Sequence, residues 1–180
     1  MNRNLATRNK PSYKVYGFWS IIVLLTLVFI SFVIVKFVQS RSDLDMDDLS
    51  NLSYREVLSV EAKPYYVFIY SKFGVTEDES DLERIEELRP TIENYLNRVK
   101  NDKELPKLYG MIVENNYGVN DAILISGVDP SNLLNKVNVE DFRINRSDVP
   151  MLIKVSGKTV TEVLLKEIDI KEALDPKPNQ

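Results

Sequence analysis

An α/β domain behind one membrane-spanning helix is what the sequence predicts, on three observations. Residues 15–35 form an uncharged run in which 15 of 21 residues are Leu, Ile, Val or Phe. Residues 65–70, YYVFIY, are apolar on both alternating faces, as a strand in the middle of a covered sheet must be. Leu82, Ile85, Leu88, Ile92, Leu96 and Val99 then recur every three or four residues, which places them on one stripe of a helix packed against that sheet.

The uncharged run spans about 30 Å as a helix, the thickness of a hydrocarbon core. Arg3, Arg8, Lys10 and Lys14 precede it with no acidic residue among them, whereas Asp43, Asp45, Asp47 and Asp48 follow it. Basic flanks stay in the cytoplasm. The expected topology is therefore a single-pass cell-membrane protein with a cytoplasmic N-terminus and an extracellular C-terminal domain. A cleaved signal peptide would have a shorter apolar region and a small-residue cleavage site, so residues 15–36 are read as a retained signal anchor. The chain then divides into a cytoplasmic tail (1–14), the anchor (15–36), an acidic tether (37–60), one folded domain (61–175) and a disordered tail (176–180).

The net charge of −4 conceals an uneven split, because residues 1–36 hold five basic side chains and no acidic one. The remainder is strongly acidic and offers no electrostatic footprint for nucleic acid. The chain has no Cys and no His. Disulfides, thiol nucleophiles, imidazole bases and thiolate or imidazole metal sites are thereby excluded. No phosphate loop, nucleophile elbow or metal motif is present, and no cofactor is expected.

Further elements follow in order. Ser80 and Glu83 have capping-box spacing at the start of the striped helix, and Pro90 inside it predicts a kink rather than two helices. Residues 107–114 read as a second strand, with Asn115, Asn116 and Gly118 as its exit. Asp129 and Pro130 suit the N-cap and first turn of a short helix whose buried side is Leu133, Leu134 and Val137. A brief strand is expected over 142–144. Residues 151–155 and 159–165 form a hairpin across Ser156, Gly157 and Lys158, and a helix over 166–174 closes the sheet. Helices are thus expected for both faces.

The stretches VNVED at 137–141 and DVPMLIKVSGK at 148–158 resemble the strand, loop, cis-proline, strand and Gly-Lys turn of the thioredoxin-like superfamily. ELRPTIENYL at 87–96 resembles the helix after that family's redox motif, with Pro90 at the kinking proline. The resemblance covers roughly 65–174 and is nearest to Gram-positive, membrane-anchored bacteriocin transport accessory proteins. It implies a thioredoxin-like mixed sheet flanked by helices, with Pro150 as the cis-proline. Counting back from Pro90 puts the redox motif at Leu82 to Ile85; counting from the first strand puts it at Phe73 to Thr76. Neither register holds a cysteine, so disulfide exchange is excluded. What the resemblance retains is a peptide-docking edge at Val149 and Pro150, since pairing with an extended polypeptide needs no thiol.

Other features read as structural. Asp43, Asp45 and Asp47 have calcium-loop spacing, but Asp48 replaces the required Gly and Tyr54 the closing Glu. Glu77, Asp78, Glu79, Asp81 and Glu83 suit the dipole of a helix start. Tyr65, Tyr66, Phe68, Tyr70 and Phe73 are assigned to the core rather than to a ligand groove. Ser20, Thr26 and Ser31 in the anchor can bond their own backbone, and Lys36 can snorkel to the interface. The sequence therefore predicts a non-enzymatic, membrane-anchored interaction module that binds an exported polypeptide or a secretion or envelope machine subunit. Its alternative is a permanent bitopic subunit of a conjugation or type IV-like secretion complex. The expected partners are the lipid bilayer and a protein or peptide.

Overall fold

The computed structural model describes residues 13–42, 44–61, 63–76, 79–114 and 123–175. The expectations for Asp43, Glu77, Asp78, the strand exit at 115–118, most of the cytoplasmic tail and the C-terminal tail lie outside them. Two compact units divide the chain, one ending at Asp43 and one beginning at Leu44.

The first unit is helix α1 (Tyr13–Ser42). Its segment Tyr13–Lys36 is long and apolar enough to cross a membrane. Ser20 and Thr26 donate to the carbonyls of Tyr16 and Ile22, each at 2.9 Å, so neither hydroxyl is left as an unpaired donor. Tyr13, Tyr16, Phe18 and Trp19 gather at one end of the segment, as interfacial aromatics do.

The second unit contains β1 (Tyr65–Tyr70), α2 (Ser80–Asn101), β2 (Lys107–Ile112), β3 (Leu124–Ile125), β4 (Ile144–Asn145), β5 (Met151–Ser156), β6 (Thr159–Leu164) and α3 (Glu167–Leu174). Four strands form a mixed sheet in the order β2-β1-β5-β6; β1 and β2 are parallel, while β5 runs antiparallel to both β1 and β6. Strands β3 and β4 form a separate parallel pair. All six residues of β1 are buried. Side chains alternate across it, so Tyr66, Phe68 and Tyr70 meet Ile85, Leu88 and Ile92 of α2 and Ile170 and Leu174 of α3. Tyr65, Val67 and Ile69 fill the opposite face with Met111, Met151 and Ile153.

That opposite face is covered by irregular chain and by the start of β4, and not by the helix expected after Asp129. Its cover is Val57, Leu58, Ile123, Leu133, Phe142 and Ile144. The backbone groups a helix would pair internally are taken from outside. Asn132 bridges Arg143, Asp148 accepts from the Ser131 amide at 2.9 Å, and the buried Asn145 donates to the carbonyls of Gly127 and Asp129. Leu134 and Val137, assigned to a buried side, are exposed. Tertiary pairing overrides local helix signals here.

Helix α2 continues through Pro90 as one helix and not two. Its start differs from the capping box read at Ser80 and Glu83. The N-cap is Glu79, in the left-handed region at φ 55° and without a side-chain cap. The hairpin turn behaves as predicted: Gly157 and Lys158 have φ of 56° and 68°, the two left-handed positions of a type I′ turn.

The acidic tether expected over 37–60 gives way, from Leu44 onward, to chain folded onto the domain. The Leu44 amide donates to Asn97 Oδ1 at 2.8 Å, and the Asn97 side-chain amide donates back to the Leu44 carbonyl at 3.0 Å. Met46 and Leu49 are buried on the α2 side, Val57 and Leu58 on the other. Asn51 forms a parallel bridge to Gly110, extending the sheet beyond β2. A Cβ on Gly110 would lie 2.3 Å from Asn51 Oδ1, so any larger residue there would have to push the Asn51 side chain aside. The acids serve as caps: Asp45 accepts from the Asp47 amide while Asp48 accepts from the Asp45 amide.

Leu49→Ala should therefore cost about 2–3 kcal/mol in urea unfolding of the detergent-solubilised chain, as for other buried leucines; an unchanged midpoint would mean the segment is a tether after all. A second expectation concerns acid. Glu61 accepts from the Lys107 ammonium and from the Tyr109 hydroxyl at 2.7 Å, and these bonds hold its carboxyl below the usual Glu range. A carboxyl that ionises more readily when folded contributes stability that is complete above its unfolded pKa and is lost as pH falls through the lowered value. Lys107→Met should shrink the loss of stability between about pH 7 and pH 3, measured by urea midpoints at both.

Candidate interaction site

The loop from β1 to α2 carries the consecutive amides of residues 72–76, and three side chains take them all. Glu114 Oε1 accepts from Lys72 and Phe73 at 2.9 and 3.0 Å and from the hydroxyl of Ser71. Ser71 Oγ accepts in turn from Gly74 at 2.7 Å. Asp81, fully buried in the first turn of α2, accepts from the amide of Val75 at 2.9 Å, from the hydroxyl of Thr76 at 2.6 Å and, at 3.4 Å, from the Thr76 amide. Consecutive amides of this kind form an anion-binding concavity, which here is filled by the protein's own carboxylates.

The loop so fixed holds Phe73 outward with 78% of its surface exposed. Phe73 is therefore not part of the core to which the sequence assigned it, although Tyr65, Tyr66, Phe68 and Tyr70 are. Beside it lies a cleft of about 270 Å³ whose apolar wall is Met46, Tyr70, Leu82 and Ile85. Two ion pairs edge it, Lys72 with Asp47 at 3.8 Å and Arg89 with Glu86 at 2.6 Å. The Arg89 guanidinium holds the Glu86 carboxyl below its usual range, and burial pushes the Tyr70 phenol up.

Arg84, on the adjacent face of α2, closes the start of β5. Its Nη1 donates to the carbonyls of Ser147 and Val149 at 3.4 and 3.2 Å, and its Nη2 to those of Pro150 and Leu165 at 3.3 and 2.8 Å. Nε lies 3.4 Å from Glu167. The neighbouring Glu87 carboxylate, together with burial, raises the Glu167 carboxyl above its usual range, against the pull of Lys171 and Arg84.

The Val149–Pro150 bond is cis, and both residues are buried. The Val149 amide donates to the Arg146 carbonyl at 3.3 Å and its own carbonyl receives Arg84. Both backbone groups of the residue proposed to dock a peptide are thus bonded within the domain. Of the residues singled out from sequence, the cleft gathers Leu82 and Ile85, both ends of the register counted back from Pro90, and Phe73, the first residue of the register counted from β1; Thr76, Val149 and Pro150 lie apart from it.

No family model matches this chain, and no curated protein does. The residues alone carry the functional argument. Among the described residues no group of three or more His, Cys, Asp or Glu side chains is placed to hold a metal ion. Sequence reading missed Arg84, although it stands between Leu82 and Ile85; nothing in spacing marks a cation whose partners are carbonyls more than 60 residues away. It also missed Met46, which the apolar series Leu44, Met46, Leu49 and Leu52 among the acids could have revealed.

Arg84→Ala leaves several half-buried carbonyls without donors and should destabilise the chain by about 2–4 kcal/mol. Arg84→Lys should recover only part of that, because one ammonium cannot fork across two pairs of acceptors. Urea unfolding of the three proteins side by side checks the order; equal midpoints would remove the clamp from the account.

Proposed function

We propose that this chain is a non-catalytic, membrane-anchored interaction module with a thioredoxin-like domain on the extracytoplasmic face, and that it contacts a protein partner through the Phe73 cleft. The partner is an exported polypeptide or a subunit of a secretion or envelope machine. One observation carries the reading: a large aromatic side chain is held 78% exposed beside an apolar cleft by a loop whose amides from 72 to 76 are tied down. Rigid aromatic groups next to pockets dominate binding energy where proteins meet, because little conformational entropy is lost on contact.

Support for the thioredoxin-like reading comes from the parallel β1-α2-β2 unit and the antiparallel β5-β6 hairpin followed by α3. The positive flank of α1 supports the outward placement. The lack of thiols, together with the Arg84 clamp over the start of β5, favours a surface role over chemistry at that junction.

A photoreactive residue at Phe73 should, in intact cells, capture one or a few discrete proteins that the same probe at Val149 or at exposed Lys158 does not. Equal capture from Phe73 and Lys158 would count against the cleft as the contact surface.

A further inference from the structure

We infer that the occupant of the Phe73 cleft is a second copy of this chain. The inference rests on the reading of the cleft as a protein-contact surface and names what fills it.

A two-fold interface demands a patch that complements itself, since whatever one copy presents the other must receive. This patch has both halves. Phe73 is an apolar knob, and the cleft walled by Leu82 and Ile85 is an apolar hole next to it on the same surface. A copy turned about a two-fold axis brings each ring to the other's cleft, burying twice an aromatic surface that now faces water. The rim is self-complementary in charge as well. Asp47 and Glu86 are balanced by Lys72 and Arg89. At this rim a second copy therefore meets no like-charge barrier, and every acid–base exchange the axis creates occurs twice. A balanced rim gives no such preference to a strongly acidic or strongly basic polypeptide. The apolar α1 adds a concentration effect: copies held in one membrane meet at far higher local concentration than free domains do, so a modest patch suffices.

The test uses the full chain in two tagged forms, co-expressed, extracted in mild detergent and purified through one tag. The second tag should follow the first. Phe73→Asp in both copies should lower that recovery by about tenfold or more, the size of effect expected at an interface centre. Ile168→Asp, at an exposed apolar residue of α3, should leave it unchanged. Because Phe73 is mostly exposed, the variant should keep the parent's thermal midpoint, which separates lost pairing from lost folding. A copy carrying Lys72→Glu and Arg89→Glu should recover one carrying Asp47→Lys and Glu86→Lys better than either recovers itself. Recovery that is insensitive to Phe73→Asp would place the association elsewhere, for example between anchors, and overturn the inference. Absent co-recovery would overturn it too; capture of a different polypeptide by the Phe73 probe would then leave the module reading standing, whereas no capture at all would remove both.

Discussion

Burial of β1 on both faces is the constraint from which the rest of the domain follows. Six consecutive residues, four of them aromatic, have almost no contact with water. A strand of that kind needs a hydrogen-bonded neighbour on each edge and an apolar layer on each face. The edges are met by β2 and β5. The α2–α3 layer meets one face through a regular stripe. The other face is met by whatever chain is available, and that is why the segments around Val57 and Phe142 carry core residues without forming helices.

This asymmetry explains how much of the fold could be read in advance. Regular periods declare themselves in a sequence, so α1, β1, α2, β2, the β5-β6 hairpin and α3 were all legible from apolar spacing and from Gly157. The second layer has no period. Leu133 and Phe142 are buried where an isolated bridge joins their neighbours Asn132 and Arg143 and where the Asn145 amide holds carbonyls 16 and 18 residues away. The N-terminal strap of the domain was hidden differently. Its acids gave it the look of a solvated tether, yet they cap a short helical turn while Met46 and Leu49 face inward. Polar composition and burial are compatible when the apolar residues are few and well placed.

The candidate site was legible only in part, for a related reason. Phe73, Leu82 and Ile85 could be named because two alignments of one resemblance pointed to them. Their meeting in a single cleft depends on the loop between them, and that loop is shaped by Ser71, Asp81 and Glu114, three polar side chains with no motif. The same economy governs the start of β5. Arg84 spans carbonyls from two segments that are separated in sequence but adjacent in space, and it occupies the backbone that would otherwise present itself to a peptide. On the proposed reading, contact runs through side chains around Phe73 and not through backbone groups at Val149. Specificity then depends on shape and charge balance more than on main-chain pairing.

The proposed function depends on which side of the membrane the domain occupies, because the proposed partners are reached from the extracytoplasmic side. The absence of native cysteine makes this directly measurable. With a single cysteine at Lys158, an exposed turn residue, a membrane-impermeant maleimide added to intact cells should label the chain fully, while a cysteine at Lys10 should be labelled only after permeabilisation. Labelling at Lys10 in intact cells, with Lys158 protected until the membrane is opened, would contradict the account at its centre.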